Sequence, residues 1–233
     1  MVRTQNPTAH AVRRDSFVDA AQGFIQSKGY EQMSIQDVLD ELGASKGAFY
    51  HYFDSKQALL QAVVDRMVDA AVAAQTPLVM DPTVSAPVKI HGLFAGISRY
   101  KNARPELMAA ILETWMSDDN AVVRERVWRG VSARLTPMLA EIVRQGNAEG
   151  NFNVGSPDDS AAILMALTMG LNQRAIELYV ARQAGTITLE DVERTLGAYV
   201  EAFDRVLDAP PGSVVPVDLA VVRQWFGKQE IAT

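Results

Sequence analysis

The chain contains no cysteine. That absence removes disulfide cross-links, thiolate nucleophiles and cysteine-ligated zinc at once. Histidine is nearly as scarce: His10, His51 and His91 are the only ones in 233 residues, and no two share a helical ligand spacing. A metal site is therefore not expected, and nothing in the sequence implies a cofactor. Long hydrophobic runs are missing as well. The longest, Ala161 to Leu171 with Thr168 inside it, has about half the roughly 20 residues of a membrane span. It reads as a buried helix, and no membrane partner is expected. Met1 to His10 is polar and lacks the apolar stretch of a secretory signal, so a cytoplasmic location is expected. There are no paired carboxylates at a defensible spacing, no nucleophile with its base and no glycine-rich phosphate loop. The chain does not read as an enzyme.

What is present points elsewhere. Hydrophobic residues make up 48% of the chain, ample for one large or two modest domains. The net charge of -6 argues at first sight against nucleic acid, yet the distribution of charge matters more than its total. Residues 1–14 carry Arg3, Arg13 and Arg14 and no acid, and residues 44–56 set Lys46 and Lys56 against Asp54 alone. The acids Asp15, Asp19, Asp37, Asp40 and Glu41 fall on two intervening helices. A modest positive face remains if those helices turn their acids away.

Helical periodicity dominates and strand signals are few, so the fold expected is all-α. Phe17, Val18, Ala21, Phe24 and Ile25 form one apolar face that stops at Lys28-Gly29. Ser34, with Asp37 three residues on, opens a second helix as a capping-box variant. Ile35, Val38, Leu39 and Leu42 form its inner face, and Gly43 ends it. Ser45 caps a short third helix, and Asp54 or Ser55 caps a fourth that runs through Leu59, Leu60, Val63 and Val64. Thr76 to Pro87, with Pro77, Pro82 and Pro87, reads as a loop. Helical stretches follow near 88–102, 105–117, 120–148, 157–183 and 188–208. Pro210, Pro211 and Pro216 close this region before an amphipathic piece, Val217 to Phe226, that is expected to fold back onto the body. No internal repeat occurs. Two domains are expected: a helix-turn-helix unit over 10–70 and a larger helical body over 71–233.

The segment from Leu42 to Lys56 holds most of the functional signal. A glycine turn leads into a very short helix with a polar start and an aromatic end, the geometry of a helix that fits the DNA major groove. The ordered series around it resembles the TetR family of bacterial transcriptional regulators. The matching residues are Arg14, Phe17-Val18, Ala21, Phe24-Ile25, Gly29-Tyr30, Ser34-Ile35, Asp37-Val38 and Gly43. The series continues through Ser45-Lys46-Gly47, Phe49-Tyr50, His51-Tyr52-Phe53, Ser55-Lys56 and Leu59. Ala48 departs from the family at a position where a hydroxyl residue is common, and Leu39 replaces a usual small residue.

The resemblance and the residue chemistry together give a candidate DNA-contacting set: Ser34, Ser45, Lys46, Gly47, Ala48, Tyr50, His51, Tyr52 and Lys56. Lys46 and Lys56 suit phosphate or base edges. Gly47 and Ala48 allow close backbone approach, and an alanine touches a thymine methyl. Phe49 and Phe53 read as core. In the body, Met108, Trp115, Met116, Trp128, Met165 and Met169 suit an adaptable apolar cavity, with His91, Glu113, Asn172 and Gln173 as its polar groups. Taken singly, each fits an irregular core equally well. Val192, Leu196, Val200, Phe203 and Leu207 form one stripe, and Ile163, Leu167 and Leu171 another. The resemblance implies that these two helices pair with their copies in a dimer, and intramolecular core is the alternative.

The function expected is a ligand-responsive repressor that binds a palindromic operator in double-stranded DNA as a homodimer. A largely apolar small-molecule effector would release it. Two rivals stand beside this reading: a regulator acting through a protein partner without a ligand, and a helical enzyme with a vestigial N-terminal unit.

Overall fold

The computed structural model describes residues 7–104, 106–108, 111, 121–217 and 219–227. Among the described residues every regular element is a helix. In chain order these are α1 (Pro7–Lys28), α2 (Ile35–Leu42), α3 (Lys46–Tyr50), α4 (Lys56–Ala73), α5 (Thr76–Met80) and α6 (Ala86–Asn102). Then come α7 (Ala121–Glu149), α8 (Pro157–Gln183), α9 (Leu189–Leu207) and α10 (Leu219–Phe226). The chain divides into two compact units, Met1–Ala70 with Lys101–Val131, and Ala71–Tyr100 with Ser132–Thr233. No helix among the described residues is long and apolar enough to cross a membrane.

In the first unit the apolar stripe of α1 becomes core: Phe17, Val18, Ala21 and Ile25 are buried. Gly29 ends the helix with φ +82°, a backbone conformation that favours glycine. Ser34 and Asp37 form the expected reciprocal cap on α2, and Gly43 closes that helix in the left-handed region. Of the two candidate caps for α4, Ser55 does the work, its hydroxyl accepting the Ala58 N–H at 3.1 Å. Arg66 on α4 donates to Asp19 at 2.5 Å and to Gln22 at 2.6 Å, tying α4 to α1.

The second unit corrects the reading of 76–87 as a loop. Residues Thr76–Met80 form a helix, because Pro77 sits in its first turn, where a missing N–H costs no bond. Behind it lies a polar clasp. The Lys89 ammonium, 2% exposed, donates to the Val79 carbonyl and to Gln145 Oε1, both at 2.6 Å. Gln145 donates to the Val84 carbonyl and to Glu149. Glu149 accepts the Ala86 N–H at 2.9 Å, and this bond leads the causes that hold its carboxyl below its usual range.

The long helices α8 and α9 pack on each other, with α10 laid across them. Leu171, Leu178, Val192, Leu196, Val222 and Phe226 form one buried cluster. The C-terminal piece thus folds back as its amphipathic pattern requires. A buried carboxylate holds the loop before it: Asp204 accepts the Gly212 N–H at 2.6 Å and the Val214 N–H at 3.0 Å.

This packing revises the candidate dimer stripes. Leu171, Val192, Leu196, Phe203 and Leu207 are buried within the chain itself. Their apolar area is already removed from water, so they serve as core and are not open to a second copy. Ile163 is 50% exposed, and Leu167 and Val200 are half-buried. The run Ala161 to Leu171 is likewise buried on one side only: Ala161, Leu164, Met165, Thr168 and Leu171 face inward, while Ala162, Ile163 and Ala166 are exposed.

Two stability consequences follow. A Cβ on Gly146 would lie 2.0 Å from the ring of buried Phe152. Gly146→Ala should therefore cost about 1–3 kcal/mol in urea unfolding, as overpacking does. Asp191 caps α9 with Thr188, and the Thr188 bonds followed by Arg194 pull its carboxyl down to about 2. A depressed carboxyl contributes stability above its unfolded range and loses it as pH falls through the folded value. The urea midpoint of the wild type should thus drop more between about pH 5 and pH 2 than that of Asp191→Asn.

Candidate nucleic-acid interface

The short helix α3 holds only five residues, too few to be stable alone. It persists because Phe49, fully buried, locks it to α1. The Phe49 ring lies 5.9 Å from Phe17 and 5.8 Å from Phe53, and Phe17 and Phe53 are 6.3 Å apart. Ser45 begins the helix, its hydroxyl accepting the Ala48 N–H at 3.2 Å. The turn before it is set by Gly43 and by the Ala44 N–H, which donates to the Leu39 carbonyl at 2.9 Å.

With Phe49 turned inward, the remaining side chains of α3 face away. Ser45, Lys46, Gly47, Tyr50 and His51 are exposed and Ala48 is half-buried. Tyr50 is 55% exposed despite its aromatic ring. A Cβ on Gly47 would meet nothing closer than the Ser45 hydroxyl at 3.9 Å. The small side chains therefore leave open space outside the helix. The helix thus presents one cation, two hydroxyls and little bulk at its start, the kind of surface that a major groove admits.

Two of the expected contact residues also have partners within the unit. The Lys56 ammonium donates to the Glu31 carbonyl at 3.2 Å and sits 4.2 Å from the centre of the Tyr30 ring. Burial lowers its pKa, with Glu31 opposing, and the Tyr30 phenol is pushed up to about 12, also by burial. Lys56 thus pins the α1–α2 turn to α4. Tyr52 is half-buried, 5.7 Å from Phe17 and 4.7 Å from His10, and packs the end of α3.

Ser34 is exposed at the start of α2. Its hydroxyl donates to Asp37 at 2.7 Å and accepts the Asp37 N–H at 3.1 Å. The Lys28 ammonium stands 2.8 Å from the same carboxylate. Lys28 first, then Ser34, hold Asp37 well below the usual carboxylate range. With Asp19 paired to Arg66, two acids of the first unit are matched by cations.

Sequence reading counted Arg13 and Arg14 as charge alone and missed their ring contacts and His10. Arg13 lies over the Phe17 ring at 5.6 Å and Arg14 over Phe53 at 5.2 Å. His10 meets His51 with ring centroids 5.4 Å apart. The spacing His10, Arg14, Phe17 along α1 was the available signal, since such residues share one helix face.

Residues 17–63 match the family model described as bacterial regulatory proteins, tetR family. Over this segment the chain is similar to the TetR family. The Tn10 TetC protein of Escherichia coli is 32% identical over 93 residues, which are 39% of this chain and 47% of that protein. The HTH-type transcriptional repressor KstR2 of Mycolicibacterium smegmatis is 27% identical over 88 residues, 38% of this chain and 42% of that one. The chain thus spans under half the length of these two relatives. A TetR transcription regulator from Haloarcula marismortui shares the fold, with a TM-score of 0.57 at 21% identity over 85% of this chain and 97% of that one. The matched segment contains α2 and α3 whole, so the helix-turn-helix is the TetR-family part of the molecule.

The candidate ligand residues are distributed over both units. Met108 and Trp128 are half-buried in the first unit, whereas His91, Met165, Met169, Asn172 and Gln173 lie in the second. Glu113, Trp115 and Met116 lie outside the described residues. His91 is exposed, with Nδ1 3.2 Å from the Val215 carbonyl oxygen. Met165 is buried and Met169 half-buried. Asn172 donates to the Thr168 carbonyl one turn earlier at 2.8 Å, and exposed Gln173 donates to Glu177 at 3.3 Å. Composition could suggest these residues but not their placement.

Phe49→Ala should cost about 3–5 kcal/mol, as for a fully buried aromatic, whereas Tyr50→Ala should stay within about 0.5 kcal/mol. Urea unfolding of the two variants checks this. A comparable loss in both would mean that α3 is not anchored through Phe49.

Proposed function

We propose that the chain is a transcriptional repressor that binds a palindromic operator as a homodimer and leaves it when a small, largely apolar molecule binds the helical body. In this reading residues 10–70 are the DNA-binding domain and 71–233 the effector-binding and dimerisation domain, at work in the cytoplasm. The observation that carries it is the Phe49-anchored helix, which presents Ser45, Lys46, Gly47 and Tyr50 outward. That segment falls wholly within the match to the tetR family model.

Lys46 contacts a phosphate or a base edge, Tyr50 and Ala48 lie against base edges, and Ser34 and Ser45 meet the backbone. Helix starts attract phosphate even where the hydroxyl already caps. Two copies of α3 must stand roughly 34–36 Å apart to reach successive major grooves. Support for pairing comes from α8, where Ala162, Ile163 and Ala166 are exposed beside half-buried Leu167. An apolar face that the chain leaves uncovered is the material of an interface. Met165 and Met169 supply adaptable surface to an effector. Such a molecule changes operator affinity only by its difference in affinity between DNA-competent and DNA-incompetent states.

The test is binding of the purified protein to its own upstream intergenic DNA in a salt series. Competitor-resistant binding with a log-linear salt dependence is expected. Lys46→Ala should weaken binding and reduce the salt slope by about 1. An unchanged affinity and slope would remove Lys46 from the contact set. Binding no tighter than to random duplex would count against specific recognition at that site.

A further inference from the structure

Two of the three histidines meet at the exposed end of α3, and nothing described above uses the pair. The His10 ring, from the first turns of α1, stands edge-on to His51, with centroids 5.4 Å apart and planes at 76°. Tyr52 completes the group, 4.7 Å from His10 and 5.0 Å from His51. His51 is exposed and His10 half-buried. The rings sit beside the outward residues of the recognition helix, at the corner where α1 and α3 come together.

The charged surroundings are mostly cationic. From α1 come Arg13 and Arg14, with their guanidinium groups drawn over Phe17 and Phe53. From α3 come Lys46 and the Tyr50 phenol, and from the turn after it Tyr52 and Asp54. Asp54 is the one acid between 44 and 56, and Asp15 is the first acid along α1, on a different side of that helix from His10. Imidazole is the side chain whose charge changes between about pH 5 and pH 8. An imidazole that carries its proton is a cation and donates hydrogen bonds from both ring nitrogens. An anion placed against the corner favours that proton, and a DNA phosphate is such an anion.

We propose that His10 and His51 together clamp one operator phosphate in a proton-dependent way, which makes His10 a DNA-contacting residue and makes operator affinity rise on acidification. The proton comes from solvent, stays on an imidazole nitrogen and forms a charge-assisted hydrogen bond to the phosphate oxygen. The inference rests on the reading of α3 as the helix that meets DNA.

The test uses the full chain and a duplex that it enriches from a random-sequence library at about pH 8, above the range in which imidazoles are charged. Affinity is then measured from about pH 8 to pH 6 in a salt series at each value. The expected result is an affinity that rises up to about tenfold per head, with a salt slope steeper by about one at the acidic end. His10→Gln and His51→Gln, each checked for folding by thermal melting, should flatten the pH dependence. His10→Lys, whose charge is permanent, should bind at the alkaline end as tightly as the wild type does at the acidic end. A pH-independent wild type, or a His10→Gln variant that keeps the full dependence, overturns the clamp and leaves the α3 reading standing. Failure to enrich any duplex at any pH overturns the α3 reading and the clamp with it.

Discussion

Everything the first unit presents to solvent depends on one aromatic contact. A five-residue helix has no intrinsic reason to persist in water, because its nucleation cost is spread over too few bonds. Phe49 supplies that reason by packing against both Phe17 and Phe53, so the position of α3 is dictated by the core rather than by its own hydrogen bonds. The inward face is thereby committed and the outward face is freed. Lys46, Gly47 and Tyr50 can take whatever chemistry recognition requires without weakening the fold.

The same division bears on how an acidic chain would approach a polyanion, as the proposed function requires. Its net charge is -6, but Lys28 holds Asp37 and Arg66 holds Asp19. Both matched acids belong to the helices before the recognition helix. The cations around α3 are Lys46, with Arg13 and Arg14 lying on aromatic faces, set against Asp54 in the turn that follows. Long-range attraction is then weak, and the shape of the corner carries more of the selectivity than its charge does.

Local signals were legible in the sequence wherever a side chain acts on its own backbone. The Ser34–Asp37 box, the Ser45 cap and the glycine stops at 29 and 43 all stand where their chemistry places them. The helix over 76–80 was not legible. Proline is ambiguous between a loop and a first helical turn, and only the packing of Val79 and the Lys89 bond to its carbonyl decides. Lys56 illustrates a second limit. Its position just after α3 suggested phosphate, and its contacts with the Tyr30 ring and the Glu31 carbonyl, 25 and more residues away in sequence, could not be read from that position. The stripes on α8 and α9 show a third. Periodicity reports that a face is apolar, but not whether the chain's own α10 or another molecule covers it.

The polar clasp behind α5 has a bearing on how the second unit comes apart. One buried ammonium is shared between the Val79 carbonyl at the end of α5 and the Gln145 amide on α7. If α5 lifts away, Lys89 loses one of its oxygens while still enclosed, and the bonds from Gln145 to Val84 and from Ala86 to Glu149 lose their alignment with it. Partial opening is costlier than its few contacts suggest, since it strands a charge away from water. The segment from 76 to 89 should therefore exchange its amide hydrogens as one cooperative block, open or closed, rather than fraying from its proline end.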